Sequence, residues 1–205
     1  MSETTPDPLP RRARCDRCAL PLRTCLCALV TPVRNEVDVL VLQHPDEAGE
    51  AKGSARLLRL SLARCRVVVG EAFAPETLRE LLGGDVSGAV LLYPPETSGG
   101  AAVALPASRP TRLVVLDGTW RKSLRMLYAN PLLQSLPRWS VAPADAARYA
   151  ALRRARRPDQ LSTLEATCAA LARIEGTPTR YAPLLDAFDR FVADRAARAS
   201  GAAPP

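Results

Sequence analysis

Histidine is nearly missing from this chain. His44 is the only one in 205 residues, and lysine occurs only at Lys52 and Lys122. With a single histidine and no nucleophile elbow, a Ser-His-Asp arrangement cannot be assembled. The glycine-rich nucleotide signatures are missing too: there is neither a G-x-G-x-x-G nor a P-loop G-x4-G-K-S/T. Ser98-Gly99-Gly100 is too slight for a phosphate cradle and reads as the tip of a flexible loop over 96–110. Hydride and phosphoryl transfer therefore lose their usual sequence support. No apolar run approaches the roughly 20 residues of a membrane span. The polar, proline-rich stretch from Met1 to Pro10 has no apolar core of an export signal. A cytoplasmic protein with no membrane partner is expected.

What is present is arginine and a cluster of cysteines. The formal net charge of +7 comes almost wholly from arginine, and the arginines are clustered. Arg138 to Arg157 holds six arginines against one acid, Asp145, and Arg11, Arg12, Arg14, Arg17 and Arg23 surround the cysteines. Two such clusters suit a polyanion such as RNA, or else form solvated faces. Cys15, Cys18, Cys25 and Cys27 make a C-x2-C-x6-C-x-C quartet within thirteen residues. Four thiolates this close can satisfy one tetrahedral zinc, and with four protein ligands its role would be structural. A disulfide reading requires an exported protein. Cys65 and Cys168 sit in apolar stretches and read as ordinary buried cysteines.

Apolar content of 47% and this length suit one domain with a small appendage. Short apolar runs alternate with helical stretches after the cysteines. Strands are expected over 37–44, 65–70, 88–93 and 113–116, and helices over 54–64, 75–82 and from Thr119. That pattern predicts an α/β fold with a mainly parallel sheet covered by helices on both faces. Ser162 with Glu165 predicts a capping box opening a helix that stops at Gly176, and a last amphipathic helix follows over 181–199. The expected organisation is a tail over 1–10, a zinc knuckle over 11–34, a catalytic domain over 35–199 and a tail over 200–205, both tails disordered.

Asp117-Gly118-Thr119-Trp120 carries the most chemical information. It ends the run Leu113 to Leu116 and opens an amphipathic helix. A carboxylate between a buried strand and a helix N-terminus is a common place for a site in α/β folds. Otherwise, Asp117 or Thr119 only caps the helix. Trp120 either lines that site or packs in the core with Leu124 and Leu127. His44 likewise ends a strand, as a structural residue or as part of the same crevice with Lys52. A strand-end carboxylate, a tryptophan and surrounding arginines suit an adenosine cofactor and a polyanionic substrate.

Several of these motifs occur in one order: Cys15-x-Arg17-Cys18 with Pro21, Cys25 and Cys27; His44-Pro45-x-Glu47; Tyr93-Pro94; Asp117 to Trp120; and Leu161 to Ala166. The order resembles the DTW-domain family, the tRNA-uridine aminocarboxypropyltransferases, over about residues 14 to 190. The resemblance implies a SPOUT-like α/β fold, related to knotted RNA methyltransferases. It also implies transfer of the 3-amino-3-carboxypropyl group of S-adenosylmethionine to N3 of a tRNA uridine, with structural Zn2+ on the cysteines. Asp46 departs from the basic residue expected there. Asp117 is then the candidate base for the uracil N3–H. An aspartate of ordinary acidity, with a pKa of about 3.9, is weak for that proton, so burial or an orienting role must assist. Leu92, Tyr93, Pro94, Leu116, Gly118, Thr119, Trp120, Leu161, Ser162, Thr163 and Glu165, with Asp117, become the expected cofactor contacts. His44, Lys52, Arg121, Lys122, Arg125, Arg153, Arg154, Arg156 and Arg157 become the expected tRNA contacts. A methyltransferase of the same fold and a non-catalytic RNA-binding protein are the rival readings. Oligomeric state is left open.

Overall fold

In the computed structural model, the described residues are 13–49, 54–94, 108–141 and 161–199. Their centre is a five-stranded sheet of β1 (Asp38–Gln43), β2 (Cys65–Val69), β3 (Ala89–Leu92), β4 (Arg112–Asp117) and β5 (Arg138–Trp139). The order is β2-β1-β4-β3-β5, and every pairing is parallel. The inner strands β1, β4 and β3 are apolar on both faces because both faces are covered. Val39, Val41, Val90, Leu113 and Val115 face one core, and Leu40, Leu42, Leu91, Val114 and Leu116 face the other.

The first core is closed by α2 (Ser54–Ser61), α6 (Thr163–Glu175) and α7 (Ala182–Ala199), together with Cys18, Leu20 and Leu26. The second is closed by α3 (Pro75–Leu81), α4 (Trp120–Ala129) and α5 (Pro131–Gln134). Each buried Val or Leu contributes about 1.5–3 kcal/mol, so the two layers supply the bulk of the driving force. The helices on both faces and the parallel sheet agree with the sequence reading. α2 stops at Ser61, short of the expected Arg64. Ser61 O and the N–H of Ala63 are taken by Val33, which bridges to Leu62. A four-residue helix α1 (Pro45–Ala48), the short α5 and the two-residue β5 were not expected. The tails over 1–10 and 200–205, and most of the loop over 96–110, lie outside the described residues.

α6 opens with the expected capping box: Ser162 Oγ accepts the Glu165 N–H at 3.2 Å, and Glu165 Oε2 accepts the Ser162 N–H at 2.8 Å. It ends at Gly176, whose φ of 65° is the left-handed conformation that suits glycine. Glu175 then ties this helix end to the entrance of β1. Its Oε1 accepts the N–H groups of Glu36 and Val37 at 2.8 and 3.0 Å. Its Oε2 accepts from Arg180 Nη1 at 2.8 Å and Tyr181 Oη at 2.6 Å. The carboxylate side chain is 0% exposed, so its loss takes the acceptor from four donors, of which Arg180 alone keeps a second carboxylate, Glu36 Oε1 at 3.1 Å. Glu175→Ala is expected to cost about 3–5 kcal/mol. Glu175→Gln should cost less, because its amide oxygen still accepts. Urea unfolding of both variants checks the order, and equal stability of Glu175→Ala and the parent chain would contradict it.

The C-terminal end of α6 sits at the start of β1. Its thirteen residues run about 19 Å, close to the length of the six-residue β1, which spans about 20 Å. α6 packs against β4, so Ser162 and Thr163 come to the edge where the strands end.

Candidate active site at the strand ends

β1 and β4 are neighbours in register, with Gln43 opposite Asp117. The chain leaves β1 toward β2 on one side and leaves β4 toward β5 on the other. Connections diverging from adjacent strands open a crevice at their C-terminal ends. Asp117 stands at that seam, 7% exposed. Its Oδ2 accepts a hydrogen bond from Gln43 Nε2 at 2.7 Å, and its carbonyl accepts the His44 N–H at 2.9 Å.

The capping alternative is decided residue by residue. Thr119 is the N-cap of α4, its Oγ1 accepting the Lys122 N–H at 3.4 Å, whereas the Asp117 carboxylate is engaged with Gln43. Gly118 makes the turn between them without a side chain. A Cβ there would lie 3.1 Å from Lys122 Cβ, so the first turn of α4 closing over this position favours glycine, while His44 Cβ at 3.6 Å is at ordinary contact distance.

Trp120 is not core. It is 68% exposed and meets Tyr93 edge to face, with ring centroids 5.6 Å apart. Leu124 is exposed as well, so the expected packing of Trp120 against Leu124 and Leu127 is not made; only Leu127 of that face is buried. The reason is the helix phase: Ser123, Met126 and Leu127 take the inner side of α4. Tyr93 reaches Trp120 because it follows β3, where its N–H bonds Trp139 O at 2.9 Å. Burial raises the Tyr93 phenol, Arg138 opposes that, and nearby Tyr128 adds to it. Leu92 lies opposite Val115, so Tyr93 and Pro94 follow beside the end of β4.

His44 does not present its ring to solvent. It is 4% exposed, and both ring nitrogens are engaged. Nδ1 accepts the Asp46 N–H at 3.2 Å, capping α1. The proton therefore sits on Nε2, 2.8 Å from Glu71 Oε2. The ring thus caps α1 and braces it against Glu71. Glu71 also pairs with Arg125 Nη2 at 2.7 Å. Lys122 Nζ pairs with Glu47 Oε1 at 2.8 Å and Asp46 Oδ2 at 3.4 Å, which gives Asp46 a partner. These pairs bind α4 to the segments that follow β1 and β2. Lys52, Arg153, Arg154, Arg156 and Arg157 lie outside the described residues.

The sequence reading missed Gln43 and Glu71. Gln43 had a usable signal, a polar residue closing an apolar strand; Glu71 had none, since its role depends on two partners distant in sequence.

The cysteine quartet is assembled in the segment that precedes β1. The four Sγ atoms all lie within 4.8 Å of one another, with Cys15 and Cys27 3.6 Å apart and Cys18 and Cys25 3.7 Å apart. Zn–S bonds of about 2.3 Å place tetrahedral sulfurs about 3.8 Å apart, so the donor set fits zinc. A disulfide needs about 2.05 Å. The turn is closed by Ala19 N–H to Cys15 O at 2.7 Å and Cys15 N–H to Leu20 O at 2.8 Å, with Ala19 at φ 58°. Backbone N–H groups of Cys18 and Arg17 hold the Cys15 thiol at about 6, while burial pushes Cys27 up to about 12.

Comparison with known proteins decides the family. The DTW domain model matches residues 12–196, nearly the whole chain. The chain belongs to the DTW-domain family. The DTW tetrapeptide of that family is therefore the strand-end turn of β4 described above. Among curated proteins, this DTW chain is similar to tRNA-uridine aminocarboxypropyltransferase 2 of Macaca fascicularis, 28% identical over 176 residues, covering 82% of this chain and 59% of the relative. The protein of that name from Mus musculus is 30% identical over 80% of this chain and 57% of the relative. That from Drosophila melanogaster is 29% identical over 84% and 70%. The DTW chain thus spans under two thirds of the length of the two mammalian relatives. No solved structure matches it. No described helix is long and apolar enough to cross a membrane.

Proposed function

We propose that this DTW protein transfers the 3-amino-3-carboxypropyl group of S-adenosylmethionine to N3 of a tRNA uridine, on a SPOUT-like form of the parallel α/β fold. The observation that carries the reading is the placement of Asp117 at the β1/β4 seam, buried yet bonded to Gln43 through one oxygen. Among the described residues, Oδ1 has no hydrogen-bond partner of its own, which leaves it for an N3–H. The names of the relatives point the same way.

When bound, S-adenosylmethionine supplies an activated γ-carbon with methylthioadenosine as its leaving group. Asp117 takes the N3 proton as the N3–C bond forms and the C–S bond breaks. Gln43 fixes the carboxylate so that its second oxygen points into the crevice. Backbone groups of Leu92, Tyr93 and Pro94, of Leu116 to Thr119 and of Leu161 to Thr163 form the three sides that hold the donor. Glu165 steadies the last side through the Ser162 N–H. Regiochemistry is a positioning effect: the walls must turn the less hindered methyl away and align the γ-carbon with N3. Arg121, Arg153, Arg154, Arg156 and Arg157 hold tRNA phosphates, with Lys52, Lys122 and Arg125. Zn2+ on the four cysteines is structural, and a cytoplasmic location goes with this substrate.

The test is a mass spectrum of tRNA nucleosides after the protein is incubated with S-adenosylmethionine and unmodified tRNA. An aminocarboxypropyl addition on uridine is expected. A methyl addition would replace the activity with methyl transfer, and no addition with no donor binding would remove the catalytic reading.

A further inference from the structure

We propose that the exposed face of α4 is a stacking track for unpaired RNA that leads into the strand-end site. Trp120, Leu124 and Tyr128 are 68%, 42% and 65% exposed and recur every fourth residue, so they form one stripe along the helix. The chain has only two tryptophans and four tyrosines. Three of these six gather here, with Tyr93 against Trp120 at the inner end. Tyr93 meets Trp120 edge to face and leaves it 68% exposed, and unpaired bases supply flat faces that such open rings accept irrespective of sequence. From Trp120 to Tyr128 the stripe runs about 12 Å, against about 3.4 Å per nucleotide in a stacked strand. It therefore suits about three nucleotides next to the one in the crevice.

Charge separates RNA from a second copy of the chain as the occupant. α4 carries Arg121, Lys122 and Arg125 and no acid; Lys122 is paired with Glu47 and Asp46, and Arg125 with Glu71. Arg121 is exposed and makes no ion pair among the described residues. A two-fold interface built on α4 would bring no acid of that helix to Arg121, whereas a phosphate between stacked bases pairs with it. The inference rests on the tRNA reading above and extends it to the bases flanking the target.

Tryptophan emission reports on the stripe, because Trp139 is 3% exposed and Trp120 is open to solvent. Titrating the full chain with single-stranded oligouridylate, without S-adenosylmethionine, is expected to change that emission and shield it from acrylamide. Tyr128→Ala should weaken oligouridylate binding by on the order of tenfold, and Tyr128→Phe, which keeps the ring, should bind like the parent. Unchanged affinity in Tyr128→Ala overturns the track. So does a sedimentation result in which Tyr128→Ala turns a dimer into a monomer and leaves RNA affinity intact. The binding readout needs no turnover. Failure of aminocarboxypropyl transfer with the track intact would therefore count against the activity alone.

Discussion

Asp117→Asn is expected to lower turnover by about 10²–10⁴-fold while S-adenosylmethionine binding and thermal stability stay near those of the parent. Asparagine has the same shape, and the Gln43 amide can turn to keep a side-chain hydrogen bond, so the seam between β1 and β4 survives. What is lost is an acceptor for a proton in motion. The variant also separates two roles for the carboxylate. If Asp117 only orients the uracil, the asparagine oxygen still accepts the N3–H and most of the rate persists. If Asp117 removes the proton, the residual rate of Asp117→Asn climbs steeply with pH, as uridine N3 ionises in solution without help. Steady-state rates over a pH series, with donor affinity measured in parallel, decide the matter. Full turnover at neutral pH with unchanged donor affinity would remove Asp117 from the chemistry.

Gln43→Ala acts on the same carboxylate from behind. Its side chain touches Asp117, not the uracil, so its effect should be smaller and should disappear in the Asp117→Asn background, as expected for residues acting as a unit.

These arguments rest partly on what was legible in the sequence. The apolar runs of β1, β3 and β4 announce buried parallel strands, because each is covered on both faces. Ser162, Glu165 and Gly176 mark the limits of α6 by local chemistry alone. Asp117 was readable for the same reason, as a charged residue closing an apolar run before a helix cap. Elements too short to repeat a period were not readable: β5 has two residues, and α1 and α5 four each. Side-chain partnerships across elements were also hidden. Nothing near His44 in the sequence shows that Glu71 occupies its Nε2, nor that Glu71 also holds Arg125. Trp120 was ambiguous because apolar residues at 120, 124, 126, 127 and 128 of α4 offer two plausible inner faces. The sheet resolves this by taking Met126 and Leu127.

Loss of the metal, by chelation or by Cys18→Ser, is expected to release the N-terminal module while the sheet stays folded. Metal binding to small thiolate sites contributes about 10–16 kcal/mol to their folding in isolated peptides, far more than the module's own contacts can replace. Those contacts are few but deep: Cys18 and Leu26 are 0% exposed, and Leu20 is 7% exposed, in the core shared with α2 and α7. Two hydrogen bonds add to them, Arg59 Nη2 to Arg17 O at 3.3 Å and Arg198 Nη1 to Arg23 O at 2.8 Å. Hydrogen exchange should then show lost protection over 15–30 and along the face of α7 that carries Phe191, with β1 and β4 unchanged. Four thiolates would leave a zinc ion no open position, so its expected part is to hold the module down and not to act at Asp117, which the sheet positions. Chelated protein should therefore still bind S-adenosylmethionine in the cold, where the sheet is stable without its cover. A chain purified without metal that shows the same protection over 15–30 would refute the structural zinc, and donor binding that vanishes while β1 and β4 stay protected would refute the separation of the two sites.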